Sequence, residues 1–349
     1  MDLRKNIGQL FLIGFKGDQI QAGDTIVADI REHNLGGVIL FDRLLAEGAF
    51  SNNIRTTEQL RQLTSDLQNH AAIPLFIAVD QEGGRVARLK PEHGFPATRS
   101  AAALGEEADG RQTASDAATI AQTLHEVGIN LNLAPVVDLA SNPDNPVIAG
   151  LGRSFSSDPA QVAMHAAAFI RAHRNQHVLT SLKHFPGHGN SQNDSHLGFT
   201  DISDTWDDSE LAPYQILMDQ KLADTIMIGH LFHHNLDPQL PATLSPAIIS
   251  DLLRKRLGYD GVVISDDLQM QAITDHYSME EAVCKALAAG IDLLIIGNNL
   301  HHDPHILPRL TTAVMSAVDQ GLISREHLDQ SCARIGRLKQ NLQHKPLSP

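Results

Sequence analysis

Eight short apolar runs, at residues 10–15, 37–41, 75–80, 129–137, 178–183, 225–229, 261–266 and 291–297, recur along the chain with helical patterns between them. Most are continuous rather than alternating, as strands buried on both faces must be. The clearest helical patterns lie at 111–127, 159–175, 246–257 and 279–289. Two of these open on Asp158-Pro159 and Ser245-Pro246, each reading as an N-cap with proline at the first helical position. Eight strands alternating with helices predict an α/β fold, a (β/α)8 TIM-type barrel. The expectation is one domain over 1–349, with a last helix at about 324–342 packed on the barrel. An open doubly wound sheet is the competing architecture. No Gly-x-Gly-x-x-Gly turn follows an early strand, and Gly83-Gly84 alone is too little for a nucleotide site.

The 349 residues are 42% hydrophobic and 19% charged, enough apolar material for a large core. A net charge of −14 argues against nucleic acid or an anionic membrane as partner. Cys284 and Cys332, far apart and both in helical patterns, read as reduced thiols rather than a disulfide framework. No apolar run approaches the ~20 residues of a membrane span. The opening Met1-Asp2-Leu3-Arg4-Lys5 lacks the apolar core and cleavage site of a signal peptide. The expectation is a cytoplasmic protein that acts on a small molecule, its oligomeric state open.

In a barrel, chemistry sits at the C-terminal ends of the strands. Those ends carry Asp80-Gln81-Glu82-Gly83-Gly84-Arg85 with Arg88 close by, Lys183-His184, His230 and Ser265-Asp266-Asp267. Arg153 follows the glycine-rich stretch 149–152 after the fourth strand. The loop Lys183-His184-Phe185-Pro186-Gly187-His188-Gly189, then Asp194-Ser195-His196, packs a cation, three imidazoles and a carboxylate into fourteen residues. Any one of these groups also reads as a rim salt bridge or a capping carboxylate. Two acid–base groups facing each other can carry out glycosyl transfer with retention, one attacking the sugar carbon while the other protonates the leaving oxygen. Asp266, at the end of a buried strand, suits the nucleophile. A histidine can both donate and accept a proton near neutral pH, and Asp194 can orient and polarise the His196 imidazole.

At these residues the chain resembles glycoside hydrolase family 3, in particular its bacterial β-N-acetylglucosaminidases. The resemblance rests on Lys183 to Gly189 with Asp194-Ser195-His196, on Asp80-Gln81-Glu82-Gly83-Gly84-Arg85-Val86, on Gly152-Arg153-Ser154-Phe155, and on Gly261 to Met270 around Asp266, in that family's order from about residue 7 to 300. It implies Asp266 as nucleophile, His196 as acid/base and Asp194 as its partner. It also implies that Asp80, Arg88, Arg153, Lys183 and His184 hold N-acetylglucosamine. No cofactor or metal is implied. The expected substrate is a peptidoglycan fragment, N-acetylglucosamine β-1,4-linked to (anhydro-)N-acetylmuramic acid. The α/β-sandwich domain of many relatives has no room here, so the chain resembles the single-domain type. Residues 44–55 make a longer loop after the second strand than the family usually has, on the aglycone side.

Several rival readings remain at this level. A β-glycoside phosphorylase fits a histidine acid/base, which tolerates an anionic acceptor better than a carboxylate does. A broader β-glucosidase or hexosaminidase fits equally. A metal-dependent hydrolase would recruit His184, His188, Asp194 and His196, although their spacing does not match His-Glu-x-x-His. A non-catalytic sugar-binding barrel would need neither Asp266 nor His196. His233-His234 and His301-His302 read as surface pairs.

Overall fold

The computed structural model describes residues 3–193 and 198–342. Its eight barrel strands are β1 (Phe11–Gly14), β2 (Gly37–Ile39), β3 (Phe76–Val79), β4 (Leu131–Asn132), β5 (Leu179–Phe185), β6 (Thr225–Ile228), β7 (Val262–Asp267) and β8 (Leu293–Ile296). All pair in parallel, each with its sequence neighbours, and β1 closes the ring on β8 through Phe11–Leu294, Leu12–Ile295 and Ile13–Ile296. The fold is the expected (β/α)8 barrel. Its strands are mainly apolar, because most of their side chains are buried against the barrel interior or the helical ring, and their charged residues gather at the C-terminal ends of β5 and β7.

Helix ends follow the local chemistry. Asp158 caps Pro159–Asn175 by accepting the Ala160 N–H at 2.8 Å, with proline at the first position. Its buried face, Val162, Ala163, Ala166, Ala167, Phe169 and Ile170, has helical spacing. Ser245 caps the next expected helix less directly, its Oγ accepting the Ile248 N–H at 3.1 Å. That helix, Ala247–Arg256, is wound with the wider hydrogen-bond spacing of a π-helix. The helix Arg325–Gln340 lies across the N-terminal end of the barrel, where Leu328, Ile335 and Leu338 join the core. Lys339 Nζ reaches Gln9 Oε1 at 2.9 Å and the Gly36 carbonyl at 2.8 Å, and sits 4.9 Å above the Phe76 ring.

Three local features depart from the sequence reading. Only two residues of the run 129–137 form a regular ladder; Pro135 has no N–H to donate, and pairing resumes at a bridge between Val136 and Lys183. A short hairpin, Gln81–Gly83 with Val86–Ala87, stands on the C-terminal rim after β3. Its turn has Gly83 at φ 105° and Gly84 at φ 60°, backbone that residues with a Cβ resist. His233 is buried, 4% exposed and packed edge-on against Trp206, not at the surface like His234. No helix among the described residues is long and apolar enough to cross a membrane.

Candidate active site

The C-terminal rim opens into a cavity of about 420 Å³. Asp80, Arg88, Arg153, Lys183, His184 and Asp266 all line it, six of the eight residues singled out from the sequence. The other two, Asp194 and His196, lie outside the described residues.

The floor is a buried ion cluster. Lys183, 3% exposed, extends from β5 to bridge Asp80 Oδ1 at 3.0 Å and Glu82 Oε1 at 2.7 Å. Arg153 grips Glu82 through two bonds of 2.8 and 2.7 Å, the fork-on-carboxylate geometry that fixes both planes. Arg88 adds a 3.3 Å contact to Asp80 Oδ2. Burial alone would push the Glu82 carboxyl up, but the Arg153 and Lys183 charges overcome it and hold it at about 2. Asp80 is lowered in the same way, by Lys183 and then Arg88 against its burial. Both carboxylates are therefore ionised at neutral pH, and the cluster is a preorganised set of acceptors and donors.

His184 is held by a residue absent from the sequence-level list. Asp138, fully buried, accepts the His184 Nδ1 at 2.7 Å and the backbone N–H groups of His184 and His188 at 3.0 and 2.9 Å. Burial would raise the Asp138 carboxyl, but the His184 charge and hydrogen bond keep it lowered. This leaves His184 Nε2 facing Arg153 Nη2 at 3.3 Å. The signal was faint: Asp138 follows an apolar run, as many capping carboxylates do. Glu82 stood in the sequence as a strand-end acid without a role, and here it is the hub of the ion cluster. His188 lies behind the rim, its ring bonded to Ser191 Oγ at 2.6 Å. Burial, then the His184 charge, lower its pKa to about 4, so it is neutral. His230 also turns away, to Thr243 Oγ1 at 2.7 Å and the Asp267 carbonyl at 2.8 Å.

Opposite the cluster, β7 ends in two aspartates with different surroundings. Asp267 Oδ1 accepts the N–H groups of Gln269 and Gly297 at 3.0 and 2.9 Å, the work of a turn-forming carboxylate. Asp266 accepts the Asp267 N–H at 2.8 Å and lies against the cavity. At the mouth stand Arg43 and Arg85, both exposed, with Leu45 and Leu300. Arg43 shares Asp42 with Lys90, the two cations at 3.5 and 2.5 Å, and Arg85 reaches the Gly150 carbonyl at 3.5 Å. The loop that carries Arg43 is fastened at Asn299, which receives the Ala46 and Leu45 N–H groups at 2.7 and 3.2 Å. Among the described residues no group of three or more His, Cys, Asp or Glu side chains is placed to hold a metal ion.

A parallel barrel whose C-terminal rim gathers ionised carboxylates and paired cations around one cavity has the layout of a barrel enzyme with a polar substrate pocket. The chain belongs to glycosyl hydrolase family 3: residues 2–338 match the family's N-terminal domain. It is 32% identical to β-hexosaminidase A of Pseudoalteromonas piscicida, over 96% of this chain and 60% of that protein. It is 34% identical to the β-hexosaminidase LpqI of Mycobacterium tuberculosis, over 96% of this chain and 82% of that one. A solved family 3 β-N-acetylglucosaminidase from Paenibacillus superposes with a TM-score of 0.89 at 34% identity, covering all of this chain and 64% of the other. The chain thus spans about three fifths of the length of the first and third of these relatives.

Proposed function

We propose that this protein is a retaining exo-β-N-acetylhexosaminidase that works through a covalent glycosyl-aspartate on Asp266. The observation that carries the reading is the cavity itself, with Asp266 on one wall and the Asp80–Glu82–Arg153–Lys183 cluster on its floor. Carboxylates accept from sugar hydroxyls, and arginine and lysine donate to them. A pocket built of paired charges discriminates well, because the wrong sugar leaves charges desolvated and unpaired. In this reading Asp80, Arg88, Arg153, Lys183 and His184 hold the N-acetylglucosamine ring. Asp266 attacks the anomeric carbon, His196 protonates the leaving oxygen and then deprotonates water, and Asp194 orients His196. The family relatives named β-hexosaminidase support the activity.

For the aglycone we propose N-acetylmuramic acid or its anhydro form, in a peptidoglycan fragment. Arg43 and Arg85 support this. They stand at the mouth of the cavity of a protein whose net charge is −14, and the carboxylate nearest to Arg43 is shared with Lys90. A lactyl carboxylate or a stem-peptide carboxylate suits that position. We take the barrel to be sufficient for catalysis and place it in the cytoplasm. Both cysteines are free, as a reducing compartment leaves them.

The test is turnover of a chromogenic β-N-acetylglucosaminide against the matching glucoside, with and without phosphate, followed by N-acetylglucosaminyl-anhydro-N-acetylmuramic acid against chitobiose. His196→Ala is then run on a disaccharide and on a dinitrophenyl glycoside. The disaccharide should lose far more rate, because a sugar alkoxide needs the proton that a dinitrophenolate does not. Equal losses would move the proton donor elsewhere, and not to Glu82, which Arg153 and Lys183 hold ionised. Faster turnover with phosphate would make the protein a phosphorylase.

A further inference from the structure

The regular pairing of β3 with β4 ends at Val79 and Asn132, just short of the segment that carries Asp80 and Glu82. A side chain makes the next rung. Asn132, fully buried, accepts the Gln81 N–H through Oδ1 at 3.0 Å and donates to the Gln81 carbonyl through Nδ2 at 3.0 Å. The peptide between the two carboxylates is thus held by both of its polar groups. The Gln81 side chain, also buried, repeats the device one step further on. Its Oε1 accepts the N–H groups of Arg88 and Leu89 at 2.8 and 2.9 Å, and its Nε2 donates to the Leu89 carbonyl at 3.1 Å. Two buried amides in series therefore fix the backbone at Asp80, Glu82 and Arg88.

The Asn132 amide is held in turn from the helical ring. Its second Nδ2 hydrogen points to His173 Nε2 at 3.0 Å. His173 Nδ1 lies 2.9 Å from the Phe169 carbonyl, and the ring stacks on Phe169 with centroids 4.1 Å apart. A carbonyl only accepts, so Nδ1 carries the proton and Nε2 presents its lone pair to Asn132. Burial lowers the His173 pKa to about 4, so the ring stays neutral and that lone pair stays free to accept. Each polar atom in this chain of contacts has a partner of the opposite kind.

We propose that Asn132, held by His173, is a positioning residue for the sugar site: it fixes Asp80 and Glu82 through the Gln81 peptide, and Arg88 through the Gln81 side chain. The inference rests on the reading of Asp80 and Arg88 as groups that hold N-acetylglucosamine.

Asn132→Leu keeps the shape of the side chain and removes all of its hydrogen bonds. Loss of a structural contact alone would lower Tm and leave the affinity of the folded protein unchanged. In the positioning role, a variant that is folded by circular dichroism should bind a competitive N-acetylglucosamine analogue about 10²-fold more weakly, the scale of groups misplaced by ~1 Å. In an Asp80→Asn background the same substitution should cost less than it does alone, because one of the groups it positions has already lost its function. Unchanged affinity in folded Asn132→Leu, or full additivity with Asp80→Asn, would overturn the proposal. If Asn132→Leu does not fold, two variants of His173 decide. His173→Phe keeps the stack on Phe169 and removes the acceptor, and should weaken the analogue. His173→Gln can present an amide oxygen where Nε2 stood, and should restore binding; equal affinities for the two would also overturn the proposal. Asp80→Asn measured alone distinguishes the two levels of the argument. If it leaves analogue binding unchanged, the sugar assignment falls and takes this inference with it. If it weakens binding while Asn132→Leu does not, only the role of Asn132 falls.

Discussion

Lys183→Met removes the cation that bridges the two carboxylates after β3 while keeping the length of the side chain. Lys183 is 3% exposed and binds Asp80 at 3.0 Å and Glu82 at 2.7 Å. Removing one member of a buried ion network costs about 3–5 kcal/mol, because the opposite charges stay desolvated. Linkage gives a second figure. Glu82 is held at about 2 against an ordinary 4.5, and that gap is worth about 3 kcal/mol, shared between Arg153 and Lys183. At about 2.1 cal/mol/K per residue, a chain of 349 residues has an unfolding entropy of about 0.7 kcal/mol/K. Calorimetry at pH 7 should therefore show the Tm of Lys183→Met lowered by about 4–7 °C. The folded pKa of Glu82 is depressed, so the stability it contributes is present above about 4.5 and lost as pH falls toward 2. With less of that contribution to lose, Lys183→Met should lose less stability than wild type on acidification through this window. The double variant Lys183→Met/Asp80→Asn removes one charge of each sign and leaves the Glu82–Arg153 pair intact. It should be less destabilised than the sum of its singles, by about 1–3 kcal/mol. An unchanged Tm for Lys183→Met, or strict additivity in the double variant, would show that these charges are not coupled in the way their distances imply.

Two other outcomes can be checked independently. Asp266→Ala should fold normally and show no turnover even on a dinitrophenyl N-acetylglucosaminide, and a 2-fluoro or 5-fluoro glycoside should label the wild-type peptide that carries Asp266 in mass spectrometry; a label on Asp267 or Glu82 would reassign the nucleophile. Lys339→Met concerns stability alone. Burial lowers the Lys339 pKa from 10.5 to about 7, so between those values the unfolded chain binds a proton that the folded one does not, and wild-type stability rises with pH. The variant should gain stability at pH 7 and show a flatter rise toward pH 10; parallel curves for the two proteins would rule the argument out.

The barrel was legible in the sequence because most strands are near-continuous apolar runs, several of them ending in polar groups. That pattern has few alternatives once helices separate the runs. The helix Pro159–Asn175 was legible to the residue, since Asp158 and Pro159 fix its start. Irregular backbone was harder to read. Pro135 interrupts β4 from inside an apolar run, and the hairpin at 81–87 is too short to leave a periodic signal. Asp138 and Glu210 were invisible for a different reason. An aspartate after a strand and a glutamate in a first helical turn are what capping and the helix dipole favour anyway. Only tertiary structure shows that both are buried against the backbone of one loop.

The same limit governs the site as a whole. Asp80 and Lys183 are 103 residues apart in the chain and 3.0 Å apart in space. Each is recognisable alone as a charged residue at a strand end, but no local pattern pairs them. Closure of the ring pairs them: β3, β4 and β5 are adjacent and parallel, so the residues leaving their C-terminal ends must share one rim. The sequence names the charges, and the barrel decides which of them neutralise one another on the floor of the cavity. What that closure leaves at the mouth is Arg43 and Arg85, the exposed cations on which the proposed preference for an anionic aglycone rests and at which it is to be tested.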